Sequence, residues 1–557
     1  MTMNNPIVNL WDVDLDYKGE NEYSSFFSTE GNFHTYPAKA VPQMVQTLLG
    51  LIRETYGIET VLDPFVGSGT VALESKYLGL KFYGSDLNPL SILLSKTKVL
   101  TVEETEYTIN EINQFLKDNL EINNMVDIVN FKNISYWFLQ KHIHELSFLK
   151  GKVKKFIKDT PFKYREQFTL ILLTALSSTI RQVSLTRNSE FKLFRMSPNK
   201  IKEHGKLDSI QLFKENVEVI LDLLERIDIE GITDNTPEIY INNAKDLSYL
   251  KDKKVDLILT SPPYGDSRST VAYGQFSRLS IQWLSDLMKE YLNISYIEDN
   301  CDEHLLGGKK SKAVINRSEI LERSQTLQAL YHEMESKVRE EESNYRQALE
   351  KLGEVEKSLV DIDRERFLEY LNDNELLAGI IVQRIRLSIS KKLRHEDEKS
   401  DKEVKGISFL ATYLLTIVLY RGDNQQFLET LPFISDIIPR VRETINRKIA
   451  SFKKRLEEVM HFFDDLYEVV LRTDEVLKDK GIQAWIVGHR TVMGDININF
   501  EKILSDWFDG LGYKNITSLS REYSFKRLPL SINSTILRYE EIQTMLQEYI
   551  LIVQKNK

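Results

Sequence analysis

The 557-residue sequence predicts an α/β fold, a mostly parallel and doubly wound sheet interrupted by two large all-helical insertions. Three observations predict it. Between Thr60 and Lys98, short apolar runs alternate with helical segments, the mark of a parallel sheet. The same grammar returns around Ile239 to Tyr264 and again after Phe462. Between these three pieces lie two long stretches with no strand alternation.

In the first piece ETVLDPF reads as a strand, VGSGT as a glycine turn, VALESKYLGL as a helix, KFYGSD as a second strand and NPLSILLSK as a second helix. From Leu100 to about Asp234 the apolar residues have helical spacing, as in FTLILLTALSSTI, and the basic-aromatic run RQVSLTRNSEFKLFRM follows. The second piece holds the strand-like EIYINNAKDL and then VDLILTSPPYG, a hydrophobic strand ending in a proline-stiffened turn. From about Leu305 to Val459 the helical pattern is stronger. Leu327, Leu330, Met334, Val338, Tyr345, Leu349, Leu352, Val355 and Leu359 recur at steps of three, four and seven with charges between, which predicts an antiparallel helix pair. The last piece reads as a helix (FFDDLYEVVLRTDEVLKDKG), a strand (QAWIVGH), an amphipathic helix (INFEKILSDWFDGLGY) and a terminal strand (EYILIVQK). The predicted divisions are 33–99, 100–234, 235–300, 301–460 and 461–557, the second and fourth being the insertions.

Composition sets bounds on function. With 42% hydrophobic and 28% charged residues the chain is globular, not disordered or collagen-like. Its one cysteine, Cys301, allows no internal disulfide and no thiolate-based metal cluster, so a reducing, cytoplasmic setting and no metal are expected. MTMNNPIVNLWDVDLDYKGE has no secretory pattern, and ISFLATYLLTIVLY falls short of the ~20 residues of a membrane span, so it reads as a buried helix. A net charge of −10 argues against a uniform polyanion as partner, but a local basic stripe is all that a nucleic-acid groove needs.

The strongest chemical signal is DPFVGSGT, Asp63 to Thr70, leaving a strand and opening a helix. Two glycines let the backbone turn and approach a ligand, the helix start offers N–H groups, and Asp63 supplies an acceptor. A cofactor carrying an amine and a carboxylate suits it. The run has neither GxGxxG nor a P-loop lysine, so dinucleotide and nucleoside triphosphate readings lose ground. Asp86, in YGSDLNP at the next strand tip, is where an adenosyl ribose is commonly held, and Asp246, in NNAKDL, is placed to accept from an adenine amino group. Either acid alone would more often be a helix cap. In SPPY, Ser261 to Tyr264, the two prolines leave neighbouring carbonyls aimed without N–H competition, Ser261 adds a hydroxyl and Tyr264 a flat face for a base.

DPFVGSGT followed by SPPY resembles the S-adenosylmethionine-dependent DNA amino-methyltransferases. The resemblance covers roughly Phe33 to Lys98, Ile239 to Leu284 and Phe462 to Lys557. It implies a Rossmann-like methyltransferase sheet, S-adenosylmethionine as cofactor and double-stranded DNA as substrate. It implies cofactor contacts at Tyr36 and Lys39 in FHTYPAKAVP, at Asp63, Phe65, Gly67, Gly69 and Thr70 in the glycine turn, and at Asp86 and Asp246. Ser261, Pro262, Pro263 and Tyr264 become the catalytic motif. SPPY is associated in this family chiefly with cytosine N4, so that amine is expected, with adenine N6 as the alternative. Guanine-N2 tRNA methyltransferases share the core but carry an acidic catalytic motif, and an inactive interaction scaffold would have no need of an intact site. Restriction-modification is the expected setting, any cognate endonuclease being a separate protein; the residues fix no oligomeric state.

Three basic runs are candidates for holding DNA: Lys150 to Glu166, Gly307 to Arg317, and Arg181 to Lys202, where Arg181, Arg187, Lys192 and Arg195 interleave with Phe191 and Phe194. GDSRSTVAYGQFSRLS, after the catalytic motif, reads as a loop that closes over the base, with Arg268 and Arg278 reaching phosphates.

Overall fold

A computed structural model describes residues 13, 15–16, 33–37, 40–102, 104–118, 120, 127–187, 191–229, 235–265, 271–294, 301–311, 314–359, 362–396, 412, 421–522, 531–533, 541–543 and 547–556. The apolar segment 407–420, Thr412 apart, and Arg268 lie outside them. Five strands run parallel: β1 (Thr60–Asp63), β2 (Lys81–Asp86), β3 (Glu238–Ile241), β4 (Val255–Thr260) and β5 (Leu477–Gly488). After the short ribbon of β6 (Arg490–Val492) and β7 (Ile496–Ile498) comes β8 (Tyr513–Glu522). A second ribbon, β9 (Ser531–Asn533) with β10 (Glu541–Gln543), precedes β11 (Gln547–Lys555). In the seven-stranded sheet the order is β3-β2-β1-β4-β5-β11-β8, with β11 antiparallel to both its neighbours. Strand order reverses between β1 and β4, so the carboxyl ends of these two strands flank the crevice where doubly wound sheets bind ligands.

Both sheet faces are covered, as the near-continuous apolar strands require. Val61, Leu257 and Leu259 fall in one buried cluster, while Leu62 and Ile258, one residue along, fall in the other. That alternation is the two-residue period of a strand. The first face carries α1 (Pro42–Tyr56), α2 (Thr70–Tyr77) and α3 (Pro89–Lys98), then the first insertion's α4 (Thr105–Asp118), α5 (Gln140–Asp159), α6 (Phe162–Val183) and α7 (Ser209–Ile229), and finally α8 (Tyr273–Leu292). Helix α6 is buried on every side from Gln167 to Ser177, which makes it the axis of that insertion.

The second face carries α9 (Gln325–Ser358), α10 (Glu375–Glu396), α11 (Asn424–Val476) and α12 (Phe500–Gly510). Ser324 caps α9 by accepting from Leu327 N–H, and Asp423 with Gln426 forms a capping box at the start of α11. The heptad-like residues Leu327, Leu330, Met334, Val338, Tyr345, Leu352 and Val355 are buried. Glu356 pairs with Arg442 and Glu342 with Lys453, so the heptad-like run is one continuous helix, α9, that runs antiparallel to the later α11 instead of folding into a solvent-facing pair by itself.

Two boundaries differ from expectation. Helix α11 continues past residue 460 and ends at Val476, where VLKDKG leaves the helix and joins the sheet. Leu477 pairs with Val255 but Ile482 with Leu257, so a bulge between them absorbs the extra residues, with Lys480 at φ 59°. Tertiary pairing overrides local helix preference here. The edge strand β8 carries no signal in the sequence, because an edge exposed along most of its length has no apolar alternation to read.

Candidate active site

The crevice is built on two strand tips joined by a hydrogen bond. Thr260, the last residue of β4, donates its hydroxyl to Asp63 Oδ1 at 2.6 Å, and Phe65 N–H donates to the same oxygen at 2.9 Å. Asp63 is 3% exposed, and burial pushes its carboxyl up to about 7 despite both bonds. The turn that follows places Gly67 and Gly69 in the left-handed region, at φ 53° and 81°. A Cβ at Gly69 would sit 2.9 Å from Ser95 Cα on α3, so this position needs glycine for conformation and for space. Thr70 then opens α2.

Asp86, partly buried at the tip of β2, ties that tip to the glycine turn. Its Oδ2 accepts from Gly67 N–H at 3.0 Å and from Ser91 Oγ at 2.8 Å, and its Oδ1 from Asn88 N–H at 2.8 Å. Burial raises its pKa, and these bonds oppose the rise. Tyr36 closes the opposite wall. Its hydroxyl accepts from Asn88 Nδ2 at 3.2 Å, and its ring packs against Tyr273 and Phe276 of α8. Asn88 also donates to Ser277 Oγ at 2.7 Å, so one buried amide joins the segment before α1, the start of α3 and α8. The sequence reading misses Asn88, since NP signals only a helix start.

At the tip of β4, Ser261 Oγ lies 3.4 Å from Tyr264 Oη, which donates to Glu548 Oε1 at 2.9 Å. Glu548 stands on β11 and its other oxygen faces Arg521 of β8 at 3.4 Å. Behind the motif, a Cβ on Gly265 would fall 2.1 Å from the Arg490 guanidinium, so glycine lets Arg490 close against the turn. His489 stacks on Tyr549 at 4.0 Å and meets Glu501 at 2.8 Å. Glu548, Arg490 and Arg521 have no local sequence signal as site residues.

The structure thus brings Tyr36, Asp63, Phe65, Gly67, Gly69, Thr70, Asp86 and SPPY to one end of the sheet. Lys39 lies outside the described residues. Asp246 stands in the turn that leaves β3, its N–H donating to Asn243 O at 2.8 Å. It is exposed, accepts from Ser248 N–H at 3.0 Å, and faces a cleft of about 510 Å³ shared with Lys251, Lys254 and Glu475, residues that precede β4 and β5 at the amino-terminal end of the sheet. Partial burial raises its carboxyl, but hydrogen bonds from Ser248 and Asn242 outweigh this and lower it. Asn242, whose N–H donates to Asp86 O at 3.1 Å, is the residue that follows β3 at the crevice.

The donor set suits S-adenosylmethionine, the cofactor that the resemblance implies. Asp63 is a buried acid whose two hydrogen-bond donors are neutral, a position that a cationic amine satisfies. Gly67 lies open enough that a Cβ there would meet only Tyr36 and Phe65 O, at 3.7 and 3.8 Å. Among the described residues no group of three His, Cys, Asp or Glu could hold a metal ion.

In two of the three basic runs several charges are paired internally. Lys150 pairs with Asp286 at 2.7 Å and Lys154 with Glu290 at 3.5 Å, both on α8, while Lys163 pairs with Glu104. In the second run Lys310 pairs with Glu303, and Arg317 with Glu457 and Asp464. The third forms a hairpin: Thr186 bridges Arg195, and Arg187 N–H donates to Phe194 O at 2.8 Å. Phe194 is 47% exposed, and the Arg187 guanidinium lies 5.8 Å over its ring. The hairpin stands beside the start of α8, where Leu193 N–H donates to Gln275 Oε1 and Asp302 caps Gly274 and Gln275.

Residues 42–199 match the family model of D12 class N6 adenine-specific DNA methyltransferases. Over 556 residues the chain is 32% identical to the type II methyltransferase M.MvaI of Kocuria varians, which covers 96% of this chain and 94% of that protein. It is 25% identical over 262 residues to the type II methyltransferase M.BsoBI of Geobacillus stearothermophilus, covering 42% of this chain and 49% of the relative. A shorter stretch of 111 residues is 27% identical to the type II methyltransferase M.MjaII of Methanocaldococcus jannaschii, 20% of this chain and 19% of that one. No solved structure gives a significant match.

Proposed function

Because this chain belongs to the type II, S-adenosylmethionine-dependent DNA amino-methyltransferases, we propose that it methylates the exocyclic amine of a flipped base in double-stranded DNA, at cytosine N4. The observation that carries this reading is the Thr260–Asp63 hydrogen bond, which holds the SPPY tip against the DPFVGSGT tip at the strand-order reversal.

When bound, S-adenosylmethionine supplies a methyl group activated by its sulfonium. Asp63 would take the cofactor's amine, Asp86 and the glycine turn would border its adenosyl part, and Tyr36 would line the wall. An exocyclic amine is a poor nucleophile because its lone pair is delocalised into the ring. Ser261 Oγ and the Pro262 carbonyl would accept its N–H bonds, drawing the nitrogen towards a tetrahedral state with a localised lone pair. Holding that geometry supplies much of the rate, and fixed acceptors stabilise the charge that develops on nitrogen. A stacked and paired base is out of reach, so it must leave the duplex, with Tyr264 beside it.

The choice of cytosine rests on serine as the first residue of SPPY. Adenine N6 is the second reading, favoured by the description of the matching family. That match ends at residue 199, before Ser261, and so contains none of the residues assigned to the base. Full-length similarity to a type II methyltransferase favours DNA over RNA, and supports a setting in restriction-modification beside a separate endonuclease. The test is to incubate the protein with tritiated S-adenosylmethionine and either duplex DNA or tRNA, then digest and identify the labelled nucleoside. Labelled N4-methylcytosine supports the reading, N6-methyladenine corrects its base, and label only in tRNA overturns it.

A further inference from the structure

We propose that Glu548 is a positioning residue that fixes the direction of the hydrogen-bond chain ending on Ser261. The inference rests on the reading of Ser261 as the group that accepts from the amine.

A carboxylate can only accept, so in the 2.9 Å contact between Tyr264 Oη and Glu548 Oε1 the phenol must donate. Tyr264 has one hydroxyl proton. With that proton committed to Glu548, its oxygen offers only lone pairs to Ser261 Oγ, 3.4 Å away. Ser261 must therefore donate to Tyr264, which turns the lone pairs of the serine oxygen away from the tyrosine and towards the crevice. An amine presents N–H donors, so an outward-facing acceptor is the polarity that it needs. In the opposite sense, Tyr264 would donate to Ser261 and the serine proton would point at the amine. Nothing within SPPY distinguishes the two senses.

Glu548 is itself held. It sits on β11 opposite Gly488, the last residue of β5, and opposite Arg521 on β8, whose guanidinium faces its second oxygen at 3.4 Å. Arg521 is 3% exposed, so the carboxylate is braced by a buried fixed cation. The Ser261–Tyr264 contact is longer than an ordinary O–H···O bond, and such contacts commonly tighten only when substrate is in place.

The variants are Glu548→Gln, Tyr264→Phe and the two combined, assayed by single-turnover transfer from tritiated S-adenosylmethionine to duplex DNA. Cofactor affinity is measured by calorimetry and DNA affinity by anisotropy. A carboxamide in place of the carboxylate could present either an oxygen or an N–H to the tyrosine, so the chain loses its direction. Glu548→Gln is expected to slow transfer by roughly 100-fold, the scale of a small misplacement at a reacting centre, with both affinities within about twofold of wild type. The double variant should be no slower than Tyr264→Phe alone, because both act on one chain. Losses that multiply, or a Glu548→Gln enzyme at wild-type rate, overturn the proposal. If Glu548→Gln does not fold, Glu548→Asp keeps the charge opposite Arg521 but shortens the reach to Tyr264. It must show the same loss of rate at wild-type melting temperature, and full activity there overturns the proposal too. A wild type that labels no duplex overturns the function itself, an outcome distinct from an active wild type whose variants lose rate independently.

Discussion

Thr260 Oγ1 donates to Asp63 Oδ1 across 2.6 Å, joining residues 197 positions apart in sequence at the tips of two adjacent strands. The bond connects the half of the site assigned to cofactor with the half assigned to the base. Thr260→Val keeps the shape, removes the donor and leaves a buried acceptor short of a partner. The expected loss of stability is about 1–3 kcal/mol, read from urea unfolding, together with weaker cofactor binding. A variant with wild-type stability and affinity would reduce this contact to coincidence.

The same acid sets a pH dependence. Burial pushes the Asp63 carboxyl up to about 7 from the usual 3.8, with the bonds from Thr260 and Phe65 pulling it down and the charge of Asp86 adding to the rise. Between those values the folded protein holds a proton that the unfolded chain has released, so this group's contribution to stability falls as pH rises through the window and is level above it. A cationic amine favours the ionised carboxylate, so cofactor binding below pH 7 must expel the proton. Affinity for S-adenosylmethionine is expected to rise by about tenfold per pH unit up to about pH 7 and then flatten. Calorimetry in buffers of different ionisation enthalpy reads the proton release directly. Asp63→Asn should abolish it, and a pH-independent wild-type affinity would remove the assigned role.

Ser261→Ala separates binding from transfer. Among the described residues the hydroxyl's hydrogen-bonding contact is with Tyr264, at 3.4 Å, so cofactor affinity should be unchanged. Loss of one fixed acceptor at a charged transition state typically costs roughly 100- to 1000-fold in rate, read from single-turnover labelling of DNA. Near-normal turnover would mean that the amine is held by other groups.

Asp63 and Ser261 are legible because each sits within a short run where a strand stops and a turn begins; Thr260 reads only as the end of that strand. DPFVGSGT and SPPY carry their chemistry locally, and an apolar run before each marks the strand. Asp246 shows the limit. NNAKD offers several polar residues after β3, and spacing alone does not tell that Asn242 N–H meets Asp86 O while the Asp246 carboxylate accepts from Ser248. Glu548 shows another. Its partner Tyr264 is 284 residues away, and the contact exists only because β11 inserts antiparallel between β5 and β8. The basic runs teach the converse lesson, since Lys150 and Arg317 are legible as charges but not as charges already paired with α8 and α11.

The third basic run, with its exposed Phe194 ring, should contact DNA through both of its residue types. Phe194→Ala removes a half-exposed ring whose loss cannot open a core, so melting temperature should hold. Loss of the ring removes apolar contact area from the DNA face, so duplex affinity should fall while cofactor affinity stays. Arg187→Ala should weaken binding to all sequences alike and reduce the slope of log affinity against log salt by about one. Unaltered affinity in both variants would move the DNA face elsewhere.

Asp465 is the last test, because it decides whether the second insertion is fastened to the catalytic half or merely adjacent to it. Its side chain is 0% exposed and accepts from Lys245, after β3, at 2.6 Å and from Gly307 N–H at 2.7 Å. Lys245 also donates to Ser311 Oγ at 3.0 Å and faces Glu468 at 3.5 Å. One helical turn of α11 thus grips both the chain leaving β3 and the segment that enters the insertion. Replacing the pair by apolar groups need not cost anything, but removing Asp465 leaves the Gly307 N–H without this acceptor and Lys245 with Glu468 and Ser311. Asp465→Ala is expected to destabilise by about 1–3 kcal/mol, whereas Asp465→Leu with Lys245→Met should recover part of the loss. Chemical denaturation of wild type and these variants reads the coupling between the two sites. If the single variant unfolds no earlier than wild type, the insertion is held by its apolar face alone.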